Sequence, residues 1–115
     1  MKRKATPEGA LLRLVMDWLS AEHIFALRMN VGVMRNAANR PVHFGIEGTA
    51  DILAFPVSLG RPHPVWIELK AGKNGQSESQ RSFQRHVEER GHTYLLAYSL
   101  DDVIEMLGRQ DGRLQ

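Results

Sequence analysis

Residues 65–70, Val-Trp-Ile-Glu-Leu-Lys, constrain the fold more than any other stretch of this chain. Side chains alternate between faces along a strand, so Val65, Ile67 and Leu69 point one way and Trp66, Glu68 and Lys70 the other. The run is apolar enough to lie inside a sheet, yet one face carries a carboxylate and an amine side by side. Either charge buried alone costs several kcal/mol of desolvation, so each needs a partner. Asp51 offers one. It opens a second apolar run, Ile52-Leu53-Ala54-Phe55, and from the start of a neighbouring strand it can reach the face that holds Glu68. Two converging carboxylates repel unless a cation lies between them. Magnesium or manganese suits such a pair, because hard cations take oxygen ligands and keep several waters.

The surrounding sequence places these two strands in a small α/β sandwich. Thr6-Pro7-Glu8-Gly9 reads as a helix start, with Thr6 as N-cap and Pro7 in the first turn. Leu11, Leu14, Val15, Trp18 and Leu19 recur at helical spacing, which predicts a helix over 7–22. Residues 24–29 alternate as a first strand. Residues 30–48 hold glycines, asparagines and Pro41, and read as a loop or ragged hairpin with a short strand at 42–44. Strands over 50–57 and 64–71 follow, joined by the turn-like residues 58–63. Ser77 caps a second helix and Gln80, three residues on, completes a capping-box pattern; that helix runs to Arg90 and stops at Gly91. A fourth strand covers 93–98. Ser99 with Asp102 opens a last helix, closed by Gly108. The order is helix, three strands, helix, strand, helix, with antiparallel pairing before the second helix and a parallel pair across it.

Composition narrows the chemistry. With 115 residues, the expectation is one domain over 1–115 with a single core. Cysteine is absent, which excludes thiolate zinc sites and disulfides and makes a reducing cytoplasm the simplest compartment. No apolar stretch approaches the roughly 20 residues that cross a bilayer, so no membrane partner is expected. A net charge of +2 and a pI near 9.3 permit a polyanionic partner without requiring one.

Hydrolysis of a phosphodiester needs an activated water and neutralisation of the charge that builds on the phosphorus oxygens. A cation between Asp51 and Glu68 supplies both, and Lys70 can hold or deprotonate the water or stabilise the transition state. The plainer alternative is a structural Glu68–Lys70 pair with Asp51 at a strand end. Glu-x-Lys is common on exposed strands; its coupling to an Asp that starts the preceding strand favours the metal.

Taken in order along the chain, several motifs resemble the PD-(D/E)XK nuclease superfamily, and within it the VRR-NUC (virus-type replication-repair nuclease) domain. They are Glu8, Arg28-Met29-Asn30-Val31-Gly32, Gly45-Ile46-Glu47-Gly48-Thr49-Ala50-Asp51, Ile67-Glu68-Leu69-Lys70, and Gln80 with Phe83. Ala50 stands where the family usually has proline, a departure that touches no ligand. The resemblance implies a restriction-endonuclease-like αβββαβ core with a C-terminal helix and a mixed central sheet flanked by helices. It further implies Asp51, Glu68 and the main-chain carbonyl of Leu69 as ligands of Mg2+ or Mn2+, Lys70 as catalytic lysine, and Glu8 and Gln80 as helpers. Read on its own, Glu8 is also a first-turn acid favoured by the helix dipole, and Gln80 a capping partner of Ser77.

The substrate is less sharply encoded. Arg28, Lys73, Arg81 and Arg85, with Lys2, Arg3, Lys4, Arg35 and Arg40, are placed to contact phosphates rather than bases, although any one could be a solvated surface charge. Nothing resembles a sequence-reading module. His23, His43, His63, His86 and His92 are scattered without ligand spacing and receive no role. Stand-alone domains of the resembled family act as homodimers on four-way DNA junctions, which implies a dimeric Holliday-junction-resolving endonuclease. The interface could come from residues 31–44, Trp18, or the last helix with Ile104, Met106 and Leu107. Flap or duplex nicking in repair, and an inactive module that only holds branched DNA, are the alternatives.

Overall fold

A computed structural model of the protein describes residues 6–29, 32–57 and 63–111. Helix α1 (Pro7–Ala21) begins as expected: the Thr6 side chain accepts the Gly9 N–H and Pro7 occupies the first turn, where its missing N–H costs nothing. Strands β1 (Phe25–Arg28), β2 (Gly32–Arg35), β3 (Pro41–Phe44), β4 (Ile52–Phe55) and β5 (Val65–Leu69) follow. Helix α2 (Glu78–Glu89), strand β6 (Thr93–Ala97) and helix α3 (Leu100–Asp111) complete the order.

A four-stranded sheet, β1-β4-β5-β6, forms the frame. β1 and β5 both run antiparallel to β4, and β6 lies parallel to β5 after the α2 crossover. Its two faces differ. Val65, Ile67 and Leu69 pack with Ile52, Ala54 and Ala97 against Val15 and Leu19 of α1 and Val103 and Leu107 of α3, all nearly fully buried. Each such aliphatic side chain contributes roughly 1.5–3 kcal/mol on burial. The opposite face meets α2 through aromatic rings: Phe83 stands edge-on to Trp66 at 5.0 Å and tilts against Tyr94 at 6.3 Å. Over β1 and β4 that second face stays open, with Phe25, Leu27 and Phe55 exposed.

Three expectations need correction. The segment read as a loop or ragged hairpin holds a true two-stranded sheet, β2 with β3, in the register Met34↔Val42. Its strands are only four residues each, and Met34 and Val42 face solvent, so no burial pattern announced them. The last helix does not close at Gly108 but continues to Asp111. Leu107 and Gly108 are both buried, and their packing outweighs the roughly 1 kcal/mol that glycine costs a helix. Of the expected interface residues, Leu107 belongs to the core, while Trp18 and Met106 pack against it and keep part of their surface exposed. The turn at 58–62 and the basic residues Lys2, Arg3 and Lys4 lie outside the described residues. Among the described residues no helix is long and apolar enough to cross a membrane.

Candidate active site

Strand register brings the two acids together. Ile52 pairs with Ile67, and the same ladder carried one residue further sets Asp51 opposite Glu68. Asp51 holds this corner by its main chain and its side chain. Its carbonyl accepts the Met29 N–H at 2.8 Å, and its Oδ2 accepts the Leu69 N–H at 2.8 Å. The Leu69 backbone is thereby fixed beside the Asp51 carboxylate. Lys70, next along, leaves the sheet with its N–H donated to the Ala97 carbonyl at 2.9 Å.

Glu68 is 3% exposed, the sole buried charged residue among the described ones. Burial, then the neighbouring Asp51 carboxylate, push its pKa up to about 8; Lys70 pulls it down and Glu8 raises it further. Protonated, the Glu68 carboxyl donates to Asp51. Ionised, it has one hydrogen bond, Gln80 Nε2 to Oε2 at 3.1 Å, while its buried Oε1 has no partner among the described residues. An ionised carboxylate with a bare buried oxygen, set against a second carboxylate, is costly without a cation. Asp51 and Glu68 therefore fit a hard divalent ion. Among the described residues no three His, Cys, Asp or Glu side chains gather into a metal-binding cluster, which leaves two carboxylates, with a main-chain carbonyl as the remaining kind of protein ligand.

Gln80 bonds in two directions, to Ser77 and to Glu68. Its Oε1 accepts the Ser77 N–H at 2.8 Å and the Ser77 hydroxyl accepts the Gln80 N–H, so the capping box is closed in both directions. The same amide then spends its NH2 on Glu68. One side chain thus starts helix α2 and orients the buried carboxylate.

Asp51 and Gln80 open onto a cleft of about 430 Å3 lined also by Arg28, Glu47, Gly48, Ser77 and Ser79, while Glu68 and Lys70 lie behind this lining. One lining residue, Gly48, belongs to a motif quoted above but had no role of its own there. Gly48 has φ +89°, and a Cβ there would run into the main chain of Ser79 and Gln80. Its lack of a side chain lets the 46–49 turn abut the first turn of α2. The signal was present as a glycine shortly before Asp51, but only the packing shows what it abuts.

The geometry agrees with solved structures. No protein-family model matches the sequence, and no curated protein matches it. Solved structures do match in fold. One, described as a VRR_NUC domain, superposes with a TM-score of 0.62 at 17% identity over 89% of this chain and 95% of its own. Another, a VRR_NUC domain protein, gives a TM-score of 0.62 at 17% identity over 97% and 93%. The chain has the VRR-NUC fold. At that identity the likeness is one of architecture, and it matches the αβββαβ core with a C-terminal helix expected above, with the β2–β3 hairpin inserted after the first core strand.

Within the VRR-NUC fold the remaining expected residues are dispersed. Glu8, half-buried on α1, is near enough to act on the charge of Glu68 but does not line the cleft. Arg28, at the end of β1, does line it. Lys73, Arg81 and Arg85 are exposed outside the cleft. Arg81 also has a local duty, since its guanidinium donates to the Gln76 carbonyl at 2.7 Å. Gln76 in turn donates to Gln84 and to the Tyr94 hydroxyl, tying down the loop after Lys70. That network joins residues 8 and 18 apart in sequence and had no legible signal.

Proposed function

We propose that the protein is a metal-dependent endonuclease that hydrolyses phosphodiester bonds in structured DNA. The observation that carries the reading is the pairing of Asp51, on the cleft wall, with a buried Glu68 whose Oε1 lacks a partner among the described residues. Asp51, Glu68 and the Leu69 carbonyl would hold Mg2+ or Mn2+. When bound, the ion supplies Lewis-acid activation of the phosphate and of water. Gln80 keeps the Glu68 carboxyl turned by donating to Oε2. Lys70, one residue beyond the ligand strand, offers an ammonium to the developing charge or, deprotonated, a base to the water. Glu8 adds negative field that draws a cation toward Glu68. Arg28 lies along the cleft, where its guanidinium suits a phosphate oxygen pair.

The finer reading is a homodimer that cuts four-way junctions, two sites for two strands. The open face of β1 and β4 supports it: the rings of Phe25 and Phe55 meet tilted at 5.5 Å and are 66% and 37% exposed, with Leu27 on the same face. Contiguous aromatic surface of this kind marks an interaction site.

The test incubates labelled four-way junction, flap, duplex and single-stranded DNA with magnesium, wild type against Lys70→Ala. Cleavage of the junction by the wild type alone is the expected result. Equal cutting by both proteins sinks the lysine assignment, and no cutting of any substrate leaves a module that only binds branched DNA. Calorimetric titration with manganese should show binding that Asp51→Asn abolishes.

A further inference from the structure

We propose that the β2–β3 hairpin is a DNA-binding arm that lies in the major groove of a double-stranded limb beside the cleft. This deepens the nuclease reading and rests on it for the position of the cut. Four observations carry the arm itself. First, among the described residues β2 and β3 contact each other and no other helix or strand, and a lone two-stranded hairpin is marginally stable in water. Such an element is retained for a partner. Second, the chain holds no acidic residue between Glu22 and Glu47, while Arg28, Arg35 and Arg40 fall in that interval. One-signed charge on a projecting ribbon is complementary to phosphate.

Third, the tip is built rather than loose. Asn36 Oδ1 accepts the N–H groups of Ala38 and Arg40 at 3.0 Å each, and Asn36 and Arg40 close the turn through main-chain N–H to carbonyl bonding. Arg35 donates through Nη1 to the Asn39 carbonyl at 2.9 Å, which holds its guanidinium at the tip. Met34 and Val42 are paired across the ribbon and 64% and 43% exposed, a small apolar face suited to thymine methyls and sugar edges. Fourth, the arm is inserted between Arg28 and Asp51, both on the cleft wall, and Met29 is bonded to Asp51 at its root. A two-stranded ribbon fits a B-DNA major groove about 12 Å wide, whereas the deep, narrow major groove of A-form RNA excludes it. The limb gripped is therefore duplex DNA, which gives a substrate with a duplex flank rather than a free single strand.

The test measures fluorescence anisotropy in EDTA, so that no cleavage occurs, for the wild type, the double variant Arg35→Ala/Arg40→Ala and the double variant Arg35→Lys/Arg40→Lys. Ligands are blunt duplex DNA, single-stranded DNA and duplex RNA. The alanine pair should lose about tenfold or more in duplex DNA affinity, and the slope of log K against log salt should fall by about 2, roughly 0.9 per lost phosphate contact. The lysine pair should keep the slope, and single-stranded binding should change less than about twofold. Unchanged duplex affinity and slope in the alanine pair overturns the proposal, as does an equal loss on single strands. Circular dichroism and melting of the variants should match wild type, since among the described residues the hairpin packs on no other helix or strand, and the lysine pair controls for the tip bond that Arg35→Ala removes. Sedimentation covers the rival occupant: a dimer that becomes a monomer in Met34→Ser/Val42→Thr shows the arm gripping a second copy instead. Because binding is read without metal, failure of the nuclease reading shows up separately, as absent cleavage with arm-dependent binding intact.

Discussion

Glu68 should make the metal-free protein lose stability as pH rises. Its ordinary carboxyl pKa of 4.5 is moved to about 8 in the fold by burial and by Asp51. Between those values the folded chain holds a proton that the unfolded chain has released, so folding binds protons and is weakened by raising pH. Below pH 4.5 both states are protonated and above 8 both are ionised, so the loss is confined to that window. Each pH unit is worth about 1.4 kcal/mol at full effect, and the whole interval sets a ceiling of about 5 kcal/mol. Water entering from the cleft lowers this, and a change of about 2–5 kcal/mol is expected, a large share of a small domain's stability. The perturbation is Glu68→Gln, which keeps the shape and removes the titration. Urea denaturation in EDTA at pH 5, 6, 7 and 8 should give nearly equal stabilities at pH 5 and a variant more stable than wild type at pH 8. Subtracting the two curves removes the histidines. Adding manganese should flatten or reverse the wild-type slope while leaving the variant unmoved, because ion uptake replaces the proton. Parallel curves for the two proteins from pH 5 to 8 would refute the reasoning.

Three further outcomes follow from the packing. Gly48→Ala combines a left-handed φ with overlap on the α2 backbone, whereas Gly72→Ala at φ +60° meets nothing within 4 Å; the first should cost distinctly more than the roughly 1 kcal/mol of the second in denaturant midpoints, and equal costs would mean the turn moves freely. Gln80→Ala removes both the N-terminal cap partner and the donor to Glu68. A loss of about 1–2 kcal/mol and weaker manganese binding are expected, the first from melting and the second from calorimetry. Leu107→Ala empties a fully buried site and should cost about 2–5 kcal/mol, read from urea midpoints.

Much of the site was legible because its chemistry contradicts its surroundings. A carboxylate and a lysine inside Val-Trp-Ile-Glu-Leu-Lys, and an Asp opening Ile-Leu-Ala-Phe, break an apolar pattern that strand burial would otherwise keep unbroken. Local rules also placed α1 and α2, since Thr6 with Pro7 and Ser77 with Gln80 are start signals that act within four residues. The hairpin and the true end of α3 were not legible. β2 and β3 bury none of their described side chains, so alternation carried no information, and Gly108 continues a helix only because its neighbours pack around it.

The sequence by itself determined which residue types would meet: two acids, an amine and a capping amide, fixed by strand alternation and helix spacing. Only the tertiary structure decided what they do to one another. Register set Asp51 opposite Glu68, burial raised the pKa of Glu68, and the absent side chain of Gly48 let α2 come close enough for Gln80 to reach the carboxylate. Alternation and capping are local and persist in any fold that keeps the elements. Desolvation, charge coupling and close approach depend on distances between segments far apart in the chain, and those exist only once the sheet and helices have packed.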